Sequence, residues 1–228
     1  MKPPSVSVLF AATCFMFGCS STPLDPAGDL GTGTASKPGK EAATTGPTST
    51  FADYPAGPYG SAKGATIENL SFLGWRHPDA AGYDTSKFET VRLSDFYDPD
   101  GHTGIKLLAI NASAVWCGVC RGEYEDMNAT QIYATFHAKG VEILGTLFED
   151  NAFSPAQPQD LKNWGALSTH AVKFPLVLDP GFKMGAYFDS DATPLNLLVD
   201  VRTMKIVSVT MGYVPAYWAQ VQTQLDRP

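Results

Sequence analysis

The sequence predicts an α/β fold in which a central mixed sheet carries helices on both faces. Three observations lead there. From about Tyr59 onward, strand-like and helix-like segments alternate in the order βαβ, helix, ββ, helix. Two of the runs, Ile105–Asn111 (IKLLAIN) and Val141–Phe148 (VEILGTLF), are almost continuously apolar, the pattern of strands buried on both faces. Near the C-terminus, Leu195–Asp200 and Lys205–Thr210 are separated by a short turn and pair naturally as a hairpin.

The chain opens on Lys2 and an apolar run from Val6 to Phe17 that ends in Met16-Phe17-Gly18-Cys19. The run is shorter than the ~20 residues a membrane-spanning helix needs and fits the apolar core of a secretory signal. Its end resembles the bacterial lipobox, in which a small residue precedes a cysteine that is lipidated. That resemblance implies a signal peptide over residues 1–18, lipidation of Cys19, and a membrane attachment through the lipid. Ser20, where an aspartate would signal inner-membrane retention, implies outer-membrane sorting in a Gram-negative cell. Simple cleavage after a small residue, giving a soluble secreted protein, is the plainer alternative.

Residues 19–58 are rich in Ser, Thr, Gly and Pro and have too little apolar surface to offset the entropy of ordering. They read as a flexible tether to a domain over residues 59–228. In that domain, Ile67–Leu73 and Val91–Phe96 are expected as short strands of an N-terminal extension. The extension's Trp75, His77 and Tyr83 read as core packing, or as contacts to a partner. Cys117–His137 reads as one helix, with Glu123, Glu125 and Asp126 near its start. A Pro-rich loop through Pro155 and Pro158 leads to a short helix over Gln159–Ser168. A segment from Pro175 to Leu178 breaks at Asp179-Pro180-Gly181, and Ala216–Leu225 closes the chain as a helix.

Composition narrows the function. The 228 residues are 44% hydrophobic and 17% charged with a net charge of -7, so no basic stripe exists to neutralise phosphates, and no nucleic-acid partner is expected. Four cysteines are too few for a disulfide-stapled scaffold. Cys117 and Cys120 form a lone Cys-x-x-Cys, with no second pair to complete a zinc site. His77, His102, His137 and His170 are scattered, so no metal and no cofactor is expected.

The chemistry concentrates in Trp116-Cys117-Gly118-Val119-Cys120, directly after a predicted buried strand and at the start of a predicted helix. Unpaired N–H groups and the helix dipole stabilise a thiolate there. A two-residue spacer lets the second thiol resolve a mixed disulfide formed at the first. Cys117 is therefore the expected nucleophile and Cys120 the resolving thiol. An inert structural bridge is the alternative, although a loop so short stabilises little.

The stretch IKLLAINASAVWCGVCRGE resembles the active-site strand and helix of the thioredoxin superfamily, most nearly its TlpA/ResA-like thiol-disulfide oxidoreductase branch. Asn111 stands at the asparagine of that branch, where thioredoxin has a buried proton-transferring aspartate. Arg121 and Glu123 match the basic and acidic places after the second cysteine, so Glu123 either tunes the thiols or is a helix-start acid. Asn111 reads as a hydrogen-bonded strand residue, which leaves the general base unassigned. Thr193-Pro194 matches the loop in which a cis proline faces the cysteines and the preceding residue offers its backbone to a substrate peptide. Asp200 matches the acid ending the next strand. The resemblance implies a thioredoxin-like fold and disulfide exchange with exported protein thiols. It also implies a membrane or periplasmic thiol electron donor or acceptor, and an extracytoplasmic location. Val119 replaces a proline common before the second cysteine, so the direction of electron flow stays open. A peroxiredoxin-like thiol peroxidase would carry Pro and Thr where this chain has Ile110 and Ala114. A copper-handling module of the Sco type would have one more residue between its cysteines and a distant histidine, for which His170 is the candidate.

Overall fold

A computed structural model describes residues 53–166, 171–187 and 192–227. The signal peptide, Cys19, most of the tether, His170 and Asp191 lie outside the described residues. Among the described residues there are seven strands: β1 (Ser71–Trp75), β2 (Glu89–Arg92), β3 (Leu107–Ser113), β4 (Val141–Leu147), β5 (Leu176–Leu178), β6 (Leu195–Asp200) and β7 (Lys205–Met211). They form one mixed sheet in the order β2-β1-β5-β4-β3-β6-β7. Strands β3, β4 and β5 run parallel, while β6 and β7 on one side and β1 and β2 on the other are antiparallel to their neighbours.

The helices are α1 (Pro78–Ala81), α2 (Gly118–Ala129), α3 (Ile132–His137), α4 (Pro158–Gly165) and α5 (Tyr217–Leu225). Strand alternation sorts the core. Leu107 and Ala109 of β3 point to one face, where Tyr124 of α2, Trp164 of α4 and Val221 of α5 pack against them. Leu108, Ile110 and Ala112 point to the other, which is covered by 3₁₀ turns at Leu93–Phe96 and Lys183–Tyr187 and by the N-terminal residue Ile67. Burial on both faces explains why β3 reads as an unbroken apolar run. Helix α2 and strand β4 approach closely at Gly145, where a Cβ would collide with the Tyr124 phenol oxygen and lie 2.9 Å from Leu176 Cδ1.

The central strands, the hairpin and α5 fall where the sequence places them. The helix expected over Cys117–His137 is two helices. Thr130 Oγ1 donates to the Asp126 carbonyl at 2.7 Å, and Gln131 takes a left-handed φ of 54°, so the backbone turns before α3 begins. In the extension, β1 starts at Ser71, because the Ile67 N–H is taken by the Met204 carbonyl at 2.9 Å. Strand β2 ends at Arg92, and Leu93–Phe96 forms a 3₁₀ turn. Trp75 is core: its indole N–H donates to the Asp84 carbonyl at 2.8 Å, and its ring meets Tyr83 and Phe88 edge-on, while His77 is exposed. The fourth helix runs from Pro158 to Gly165, with Pro158 at its first turn, where a missing N–H costs nothing.

Candidate active site

The site is built at the C-terminal end of β3. After Ser113 the chain turns, held by the Val115 N–H on the Glu149 carbonyl at 2.8 Å and the Cys117 N–H on the Ala114 carbonyl at 3.1 Å. Trp116 is half-buried, and its indole N–H donates to Glu149 Oε2 at 2.8 Å, which ties the loop to the end of β4. Cys117 then caps α2: its sulfur accepts the Cys120 N–H at 3.0 Å.

Cys117 and Cys120 are joined, with their Cα atoms 5.3 Å apart. The two sulfurs are not equivalent. Cys117 keeps 5% of its surface exposed and Cys120 none, so an incoming thiol or disulfide meets Cys117 first. Gly118 and Val119 between them are exposed, Val119 to 55%. Reduction would leave the Cys117 sulfur facing the unpaired N–H groups and positive end of a twelve-residue helix, the setting that lowers a thiol pKa.

From the β6 side, Thr193-Pro194 approaches with a cis peptide bond, as the resemblance implies. Thr193 Oγ1 donates to the Cys117 sulfur at 3.3 Å. The Gly212 N–H bonds the Pro194 carbonyl at 2.8 Å, so the end of β7 supports this loop. Asp200 caps the hairpin turn by accepting the Arg202 N–H at 2.8 Å, well removed along β6 from the sulfurs. The Arg121 guanidinium reaches toward the Val115 carbonyl at 3.5 Å.

Beneath the cysteines lies a buried polar group. Glu123 follows Cys120 by three residues, on the same face of α2. Asn111 Nδ2 donates to its Oε2 at 2.7 Å, and Asn196 Nδ2 donates to its Oε1 at 2.8 Å. Asn111 Nδ2 also donates to Asn196 Oδ1 at 3.0 Å, and Ser113 Oγ donates to Asn111 Oδ1 at 2.7 Å. Asn111 and Asn196 sit opposite each other in the β3–β6 register. These contacts are logically linked. If Asn111 presents its NH₂ to both neighbours, then Asn196 must present oxygen to Asn111 and NH₂ to position 123, and both terminal atoms of that residue must accept. The reverse orientation would require both to donate. Only an ionised carboxylate offers two equivalent acceptors. Burial opposes this charge: the Glu123 pKa is pushed up to about 7 by loss of solvent, with the Asn196 and Asn111 bonds pulling it down and nearby Asp126 raising it.

Glu123 is thus a buried acid beside the thiols, and Asn111 is its hydrogen-bonded strand partner. Asn196 escaped the sequence reading. Its only signal was a lone amide in the apolar run LNLLVD, directly after the proline.

The geometry has counterparts among known proteins. The profile of the AhpC/TSA family matches residues 74–209. No curated protein sequence matches the chain. A Chlorobium tepidum structure described as a DsbE-type thiol:disulfide interchange protein superimposes with a TM-score of 0.52 at 22% identity, covering 72% of this chain and 95% of that one. The thioredoxin domain of a Bacteroides vulgatus thiol-disulfide oxidoreductase gives 0.51 at 19% identity, covering 72% and 99%. Enterococcus faecalis AhpC gives 0.51 at 15% identity, covering 72% and 90%. At these identities the likeness is one of thioredoxin-like fold.

Proposed function

The chain belongs to the AhpC/TSA family, and from that premise we propose that it is a thiol–disulfide oxidoreductase exchanging disulfides with exported polypeptides through Cys117 and Cys120. One observation carries the reading: a bonded Cys117–Cys120 pair at a helix N-terminus with only Cys117 reaching the surface. In the reducing direction, the Cys117 thiolate attacks one sulfur of a substrate disulfide, and the substrate's other sulfur leaves as a thiolate. Glu123 accepts the Cys120 proton. The Cys120 sulfur then attacks Cys117, and the second substrate thiol is released. Two electrons pass from the protein dithiol to the substrate, and the reverse sequence oxidises a substrate dithiol.

The apolar N-terminal run ending in Gly18-Cys19 supports an extracytoplasmic, lipid-anchored protein. A thiol donor or acceptor at that membrane would return Cys117 and Cys120 to the starting state. The description of the Chlorobium tepidum structure as an interchange protein accords with this reading.

The experiment is dithiothreitol-coupled precipitation of insulin. The protein should accelerate it, and Cys117→Ser should abolish the acceleration. Full activity of that variant would remove Cys117 from the chemistry. Peroxide reduction is the second reading, favoured by family membership and the AhpC likeness. Ile110 and Ala114 are fully buried and offer no polar group where that chemistry places Pro and Thr. Hydrogen peroxide loss above the dithiothreitol background is therefore expected to be nil, and Cys117-dependent loss would move the function to peroxide.

A further inference from the structure

Phe153 combines two unfavourable features. Its backbone lies in the left-handed region with φ 58°, where a bulky side chain is strained and glycine is not. Its ring is nevertheless 68% exposed, so no burial offsets that cost. The loop around it is firmly made. The Asp150 carboxylate accepts the N–H groups of Ala152 at 2.7 Å and Ser154 at 2.9 Å, and the Asp150 N–H bonds the Ser154 carbonyl at 2.8 Å. The ring lies 5.3 Å from that of Trp116, the residue before Cys117. Trp116 is itself fixed by Glu149.

Sheet order gives this ledge its meaning. Strand β3, which delivers Cys117, lies between β4 and β6. The Phe153 loop follows β4, and Thr193-Pro194 precedes β6. Cys117 therefore lies between two flanking walls, with Trp116 and Phe153 on one of them. The other wall holds Thr193 with the exposed Met211 and Tyr213, the latter anchored by its hydroxyl donating to Asp126 Oδ2 at 2.9 Å. Of the six exposed large hydrophobic residues among those described, four (Val119, Phe153, Met211 and Tyr213) lie at the end of the sheet that carries Cys117, which marks it as a contact surface.

We propose that Phe153 is a specificity-determining residue: with Trp116 it forms an aromatic wall that receives a large apolar side chain next to the reacting cysteine of an extended substrate segment. The inference rests on the thiol-exchange reading and deepens it by naming the substrate feature selected.

The test uses the reduced protein and single-cysteine peptides carried as mixed disulfides with 2-nitro-5-thiobenzoate. Cys117 attacks the peptide sulfur and releases the coloured thiolate. Cys120 then displaces the peptide thiol, leaving the protein disulfide. Peptides with Phe at the positions flanking the cysteine are compared with an otherwise identical all-Gly peptide. The wild type is expected to react with the best Phe peptide about tenfold faster, by the second-order rate constant for release of the coloured thiolate, the factor that about 1.4 kcal/mol of contact produces. Phe153→Gly should bring that ratio close to one, and Phe153→Tyr should keep it. Because glycine tolerates the left-handed backbone, Phe153→Gly should fold with undiminished thermal stability. A wild-type ratio near one, or a ratio that survives Phe153→Gly, overturns the inference and leaves the thiol chemistry standing. Failure of the wild type to react with any peptide overturns the thiol-exchange reading and the inference with it.

Discussion

Replacing Glu123 by glutamine isolates the energetic consequence of burying an acid under the cysteine pair. The carboxyl pKa rises from an ordinary 4.5 to about 7 on folding, mainly through burial. At 1.36 kcal/mol per pH unit, that corresponds to about 3 kcal/mol. A raised folded-state pKa means the native protein holds the proton more tightly than the unfolded chain. The contribution is therefore fully present below pH 4.5 and is lost as pH rises through about 7. Glutamine does not titrate, but its amide must face an asparagine NH₂ in a network that accepts only two acceptors, a mismatch of about 1–3 kcal/mol at every pH. The stability of the wild type relative to the variant should thus fall by about 3 kcal/mol on going from about pH 4 to about pH 8. Urea unfolding of both oxidised proteins across that range reads the difference directly, and other titrating groups such as Glu142 and Asp179 cancel in it. Stability curves that stay parallel within about 0.5 kcal/mol would refute the buried-acid argument.

Gly145→Ala should destabilise the fold by about 1–3 kcal/mol in urea unfolding, since the new methyl meets the Tyr124 hydroxyl. Tyr124→Phe in the same protein should recover part of that loss, because it removes the phenol oxygen that the new methyl meets. Thr193→Val removes the hydroxyl donated to the Cys117 sulfur. The pH midpoint of iodoacetamide alkylation at Cys117 in the reduced protein should then rise by about half a unit to one unit, and an unmoved midpoint would exclude that contact from thiolate stabilisation.

Much of this arrangement is legible in the sequence, because its signals are local. Buried parallel strands such as β3 and β4 need apolar side chains on both faces, and a Cys-x-x-Cys after such a strand announces its own position. What escapes depends on contacts distant in sequence. Asn196 matters because β6 sets it opposite Asn111, 85 residues away. Glu123 looks like an ordinary acid near a helix start until those two amides close on it. The end of α2 escapes as well, because Thr130 and Gln131 break the helix within a stretch whose pattern continues. Phe153 carries no sequence signal, since its significance lies in a backbone angle and in the neighbouring Trp116 ring.

The asymmetry of the two sulfurs is tested most directly by trapping. Reduced Cys120→Ser and Cys117→Ser proteins are each incubated with a single-cysteine peptide mixed disulfide, and the intact masses are read. Cys120→Ser should accumulate a stable one-to-one peptide adduct located at Cys117, and Cys117→Ser should accumulate essentially none. Equal adducts on both variants, or an adduct only on Cys120, would contradict the account.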